Sequence, residues 1–184
     1  MDQDVKTEWM EISPEEFRCD AFQVWGDNWL ALAAGDFEEK RFNAMTVGWG
    51  FFGTMWAAPA VMVVVRPQRY TLEFLDEYSS FTLSAFAPEH REKLAFIGKH
   101  SGRGMPDKLA QAGLTPCAAK QVAAPAFREA ELVLECRKTY RGQFTGKEFL
   151  EKSLVSRMYP ERDFHVFLLG EVVRIAGVSK YVKP

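Results

Sequence analysis

Asn43-Ala-Met-Thr-Val-Gly-Trp-Gly50 and, downstream of it, Arg66-Pro-Gln-Arg-Tyr-Thr71 are the stretches on which the reading of this chain turns. In the first, Ala44, Thr46, Gly48 and Gly50 are all small, whereas Asn43, Met45, Val47 and Trp49 are mostly large. Successive side chains of a strand point to opposite faces. The pattern predicts a strand with one packed face and one nearly bare face, and a bare face lets a flat ligand approach the backbone.

The second stretch closes a β-branched run, Pro59-Ala-Val-Met-Val-Val-Val65, which has the character of a buried strand. Tyr70-Thr-Leu-Glu-Phe-Leu-Asp-Glu-Tyr78 then sets Leu72, Phe74 and Leu75 at helical spacing. A helix is therefore expected directly after the strand, with Arg66 and Arg69 beside its N-terminus. Free N–H groups, a dipole worth up to about 1 kcal/mol and two guanidinium forks at one junction predict a phosphate site.

Outward from these two pieces, Asn28-Trp-Leu-Ala-Leu-Ala-Ala34 reads as a strand closed by Gly35-Asp36, so residues 28–50 form an expected hairpin. Gly50-Phe-Phe-Gly53-Thr-Met-Trp56 interrupts the pattern and reads as an aromatic loop, whose rings either lean over a ligand on the neighbouring strand or pack among themselves. Phe81–Phe86 is a further strand, and Pro88 opens a helix over Glu89–Phe96. Gly98-Lys-His-Ser-Gly-Arg-Gly104 is a second glycine-rich loop, suited to an anion nest or to a plain connection. Met105–Ala112 is an expected short helix ended by Gly113, and Leu114–Pro125 is expected to run over the surface. Ala130–Tyr140 alternates Leu132, Leu134 and Cys136 against Val133, Glu135 and Arg137, which predicts a half-exposed strand, and Phe164–Ile175 is the last long one. Ser13-Pro14-Glu15-Glu16 has a capping serine, proline at the first helical position and glutamate at N3, a capping box for a short helix through about Arg18.

Strands separated by turns, with helices inserted between some of them, predict a mainly antiparallel barrel. No G-x-G-x-x-G follows a strand, which disfavours a dinucleotide-binding βαβ unit. A length of 184 residues with 47% hydrophobic and 14% aromatic residues fits one domain over 1–184, with 1–20 as an N-terminal strap. With 23 basic and 25 acidic residues the formal charge is -2, so there is no broad electrostatic footprint for nucleic acid or an anionic membrane, and any anion site is local. Cys19, Cys117 and Cys136 are odd in number and widely spaced, as in a reducing compartment, and the three histidines give no metal-ligand spacing. The acidic Met1-Asp-Gln-Asp-Val start and the short apolar runs argue for a cytoplasmic protein.

Asn43-Ala-Met-Thr46, Trp49-Gly50, Gly53, Trp56, Pro59 and Arg66-Pro-x-Arg-Tyr-Thr71 together resemble the flavin reductase-like family of FMN-binding split barrels, in particular its flavoredoxin-like branch. Gly98-Lys-x-Ser-Gly102 and His165-x-x-x-x-Gly-Glu-Val172 fall in the same order as in that family, so the resemblance covers roughly residues 22 to 182. It implies a Greek-key split β-barrel that forms a homodimer with two flavins near the interface. It further implies that Asn43, Met45, Thr46 and Trp49 line the flavin ring, that Gly50 also belongs to the cofactor site, and that Arg66, Arg69, Tyr70 and Thr71 hold the ribityl phosphate. Lys99, Ser101 and Gly102 are implied to reach a flavin across the interface.

Two-component reductases of this superfamily carry Gly-Asp-His near the flavin. Asp163-Phe-His165 departs from that motif by an inserted Phe164 and a missing glycine, so His165 is either a catalytic residue for the nicotinamide or a core histidine bonded to backbone. The implied cofactor is FMN, with FAD as the alternative and NAD(P)H as co-substrate. The two functions left open are an NAD(P)H-dependent flavin reductase and a non-catalytic flavin carrier reduced by a redox protein partner.

Overall fold

The computed structural model describes residues 8–184. Met10–Glu11 is β1, Leu30–Asp36 β2, Arg41–Val47 β3, Gly50–Met55 β4 and Ala58–Val65 β5. Helix α1, Thr71–Glu77, leads into β6, Ser80–Phe86, which is followed by α2, Arg91–Lys99, and the one-turn α3, Lys108–Gln111. The rest comprises β7 (Pro116–Cys117), β8 (Ala126–Phe127), β9 (Ala130–Gln143), α4 (Lys152–Met158) and β10 (Val166–Gly177). The main sheet runs β3-β2-β6-β9-β10-β5-β4, with β1 added on β10, and every pairing is antiparallel. The sheet curls until β3 approaches β5 without pairing to it, which leaves a seam and makes the structure a split barrel.

Two apolar layers hold this shape. Inside the barrel, Leu30, Leu32, Met45, Val47, Val63, Leu83, Leu134 and Leu168 interlock. Outside it, Ala31, Ala33 and Ala44 form a flat face on which Leu94 and Ile97 of α2 and Leu109 of α3 pack, with Phe127 and Val133 beside them. Small residues on β2 and β3 let a helix approach the sheet closely, and its leucine and isoleucine knobs fill the space that larger strand residues would take.

Packing from both layers corrects the expectation of a bare strand face. Ala44 is buried beneath α2, the Thr46 hydroxyl donates to the Leu94 carbonyl, and a Cβ on Gly50 would strike the Trp25 ring and come within 2.5 Å of the Met62 carbonyl. Much of the small-residue face is filled by the chain itself, and only Thr46 and Gly48 open to a cavity.

Other elements differ from expectation for local reasons. Residues 50–55 are a strand, not a loop, and they hairpin onto β5 through a two-residue turn in which Trp56 and Ala57 both have positive φ (51° and 59°). The edge position leaves Phe51 66% exposed and Trp56 64% exposed, and neither lines the two cavities beside β3. The capping box at Ser13 forms, with the Ser13 hydroxyl donating to Glu16 at 2.8 Å, but it closes a single turn and no helix follows. The expected helix 105–112 shrinks to α3, closed by Gly113 at φ 67°. Residues 132–136 of β9 are buried on both faces, because the outer apolar layer covers Val133 and the N–H groups of 120–121 close over the Glu135 carboxylate. Before β2, Gln23–Asn28 forms a π-helical turn that the strand pattern did not signal. The described part of the strap is tied down by β1 on β10 and by a bridge from Phe17 to Val182. No helix among the described residues is long and apolar enough to cross a membrane.

Candidate functional site

β3 pairs only with β2, so its other edge presents unpaired backbone N–H and C=O groups along the seam. Two cavities lie on this side of the barrel, one of about 380 Å³ and one of about 230 Å³, and both are walled by Met45 and Arg69. Together they are of the size at which cofactor sites occur, about 300 to 1,000 Å³.

Most of the side chains that line the larger cavity are apolar, with backbone and Arg69 adding polar surface. Met45, Thr46 and Val47 of β3 form one wall, Val64 of β5 another and Leu94, Ala95 and Gly98 of α2 a third, with Trp29 and Trp49 completing it. Trp49 is 47% exposed, so one aromatic surface of the wall is reachable from solvent. Trp29 sits at φ 63° and ψ 165°, a region populated essentially by glycine, and its ring lies beside Gly48 while the Arg91 guanidinium stacks on it at 3.2 Å from the centroid. Such a conformation costs about 1 to 3 kcal/mol. It persists because the cation–π stack and the packing against Gly48 hold the indole in the wall.

The smaller cavity is cationic. Arg66, Arg69, Lys99 and Lys108 line it with Asn43, Tyr70, Thr71 and Ser101, and no carboxylate does. Arg66 is engaged: it pairs with Asp163, donates to the Met158 carbonyl at 2.7 Å and lies 5.2 Å over the Tyr159 ring. That partner holds the Asp163 carboxyl below its usual range. Arg69 donates to the Gly98 carbonyl at 2.8 Å and has no acidic partner among the described residues. Asn43, 5% exposed, is fixed by donating to the Thr71 hydroxyl at 2.7 Å, which leaves its amide oxygen to face Gly102. Helix α1 spans two turns, so the positive potential here comes chiefly from the side-chain charges and less from the helix dipole.

Ten of the residues singled out from the sequence therefore line one cavity or the other: Asn43, Met45, Thr46, Trp49, Arg66, Arg69, Tyr70, Thr71, Lys99 and Ser101. Three do not. Gly50 packs under Trp25, Gly102 packs against the Asn43 side chain, and His165 is 7% exposed with its Nδ1 at 2.9 Å from the Tyr159 hydroxyl. The recorded partner of the His165 ring is that side chain, and its centroid lies 5.1 Å from that of Trp49 in the cavity wall. Burial first, and then the Arg66 charge, push its pKa down to about 4, so the imidazole is neutral at pH 7.

Sequence reasoning missed Trp29 and Lys108. Nothing near Trp29 signals a strained backbone, and a lysine after Pro106-Asp107 reads as a solvated surface residue. Lys108 is instead 2% exposed.

The barrel fold is shared with known proteins. A stretch of 97 residues is 27% identical to an uncharacterized protein of Aeropyrum pernix, over 53% of this chain and 36% of that one. Among solved structures, the FMN-binding domain of a flavin reductase-like enzyme from Shewanella baltica superposes with a TM-score of 0.67 at 14% identity, over 94% of this chain and 78% of that one. The flavoredoxin of Methanosarcina acetivorans gives 0.66 at 19% identity, over 94% and 76%. An NADH:FAD oxidoreductase of Streptomyces globisporus gives 0.62 at 16%, over 83% and 76%. At these identities the likeness is one of fold. The flavin reductase like domain matches residues 30–183, nearly the whole of the barrel, and the chain belongs to the flavin reductase-like family.

Proposed function

We propose that the protein binds FMN across the two neighbouring cavities and passes electrons from NAD(P)H through the flavin to an acceptor. The observation that carries this reading is the pairing of an apolar cavity along an unpaired strand edge with a cationic cavity that no carboxylate lines. The first suits a flat heteroaromatic ring that needs backbone hydrogen bonds, and the second suits a phosphate.

When bound, FMN supplies a ring that accepts hydride and releases electrons. The chain supplies the rest. Met45, Val64 and Leu94 would exclude water from the ring, and the free edge of β3 would offer it N–H donors and C=O acceptors. Arg69, Lys99, Ser101 and Thr71 would hold the phosphate. Trp49 gives a nicotinamide an aromatic surface that solvent can reach, and His165, behind Trp49, acts as a positioning residue and does not touch the ligand. Two protomers are expected to associate, with Lys99, Ser101 and Gly102 near the partner.

Anaerobic addition of NADH to the FMN-loaded protein, followed by visible absorption, tests the reading. Bleaching of the flavin band within seconds supports the reductase. A band that appears on loading but stays unchanged with NADH and NADPH overturns the nicotinamide step and leaves a carrier reduced by a protein partner.

A further inference from the structure

Lys108 is the least exposed cation at the site. Its ammonium donates to the carbonyls of Ile97, at 3.2 Å, and His100, at 3.0 Å, where α2 ends. It pairs with no carboxylate among the described residues, yet it forms part of the wall of the smaller cavity. Two carbonyls use two of the three ammonium donors and carry only partial charge, so the third donor and most of the positive charge remain for whatever fills the cavity. A buried ion without a counter-ion is costly. An anionic group in the cavity would offset this cost.

Arg66 is neutralised by Asp163, which leaves Lys108, Arg69 and Lys99 as the cations at this end without an acidic partner among the described residues. A terminal phosphate monoester carries about -1.5 to -2 charges at pH 7 and three acceptor oxygens. A phosphate within a diphosphate diester carries about one charge and continues into a second nucleoside. We propose that Lys108 is the innermost ligand of the flavin phosphate and makes the cavity selective for a dianionic monophosphate, so that FMN is preferred over both riboflavin and FAD. This rests on the flavin-binding reading above.

Calorimetric titration of the wild-type protein and of Lys108→Met with FMN, riboflavin and FAD tests the assignment. The wild type is expected to bind FMN about 10- to 100-fold more tightly than riboflavin or FAD, and Lys108→Met to lose most of that preference while its riboflavin affinity stays within about threefold. Equal losses for FMN and riboflavin would mean that Lys108 only caps α2, and would overturn the assignment, as would wild-type protein that binds FAD as tightly as FMN. Wild-type protein that binds no flavin overturns the cofactor reading itself.

A second measurement needs no variant. Burial, with Arg69 nearby, lowers the Lys108 pKa to about 8. The other charged or titratable groups around it are Arg66 and Tyr70 from the turn after β5, Lys99 and His100 at the end of α2, and Asp107 on its own turn. The ratio of FMN to riboflavin affinity should therefore fall between pH 7 and pH 9.5, by up to about tenfold per unit above pH 8, because the phosphate is already dianionic there and the shared ring cancels. A ratio that stays constant over that range contradicts the assignment.

Discussion

Arg69 and His165 are the residues at which charge and burial make the sharpest claims. Among the described residues the partner of Arg69 is a carbonyl and not a carboxylate, which suits it to a phosphate, and a hydrogen bond between charged groups contributes about 1.5 to 3 kcal/mol. Arg69→Ala should weaken FMN by about 10- to 100-fold and riboflavin little, as measured by flavin fluorescence quenching; equal losses would place Arg69 outside the phosphate site. For His165 the folded chain refuses a proton that the unfolded chain accepts, between the ordinary pKa of 6.5 and the folded value of about 4. The stability this contributes is complete above pH 6.5 and is lost as pH falls through that window, on the order of 1 to 2 kcal/mol between pH 7 and pH 5. Urea unfolding of wild type and His165→Asn at both pH values should show that part of the slope missing in the variant, and identical slopes would contradict it. The sequence made Arg69 legible because a strand, a turn and a helix bracket it. It hid Lys108, whose burial depends on the end of α2 and on a cavity assembled from segments far apart in the chain.

At the scale of elements, the hairpin of β4 and β5 carries two testable strains. Trp56 and Ala57 fill a two-residue turn in which both φ angles are positive, where glycine or asparagine is the usual occupant. Ala57→Gly should therefore stabilise the protein by up to about 1 kcal/mol in urea unfolding, because it removes the left-handed penalty of a Cβ. A neutral or destabilising result would show that the turn is held by contacts of Ala57 that the backbone argument omits. Gly50→Ala should cost about 1 to 3 kcal/mol, since its Cβ meets the Trp25 ring and the Met62 carbonyl, and the carbonyl is held in the β4–β5 pairing. Flavin affinity should be unchanged in the folded fraction of Gly50→Ala, because Gly50 lies outside both cavities; a specific loss would return Gly50 to the site. This hairpin also marks where reading by periodicity failed. An edge strand with Phe51, Phe52 and Met55 alternates poorly, so 50–56 looked like a loop. β5 and α1, by contrast, carried a β-branched run and a 3.6-residue period and were legible. The burial of Glu135 was not, since it depends on the N–H groups of Lys120 and Gln121 arriving from another segment.

At the scale of the whole molecule, the antiparallel barrel followed from turn-separated strands, while its seam and both cavities appear only when β3 and β5 face each other. Phe51, Met55, Trp56 and Tyr140 are exposed on the β4 side, and the Trp56 and Tyr140 rings are tilted against each other with centroids 6.5 Å apart. A patch of this kind argues for a second protomer. Sedimentation velocity at micromolar concentration should report a dimer, and Phe51→Glu should shift it toward monomer; a wild-type monomer would also remove the expectation that Lys99 and Ser101 sit near a partner. The central claim is that one cavity system, apolar at one end and cationic at the other, holds FMN. Titrating apo-protein into FMN and following flavin fluorescence tests it most directly. Saturable quenching at one FMN per chain with a Kd of about 1 μM or tighter is expected, and quenching that does not saturate by about 100 μM protein would rule FMN out of the cavities.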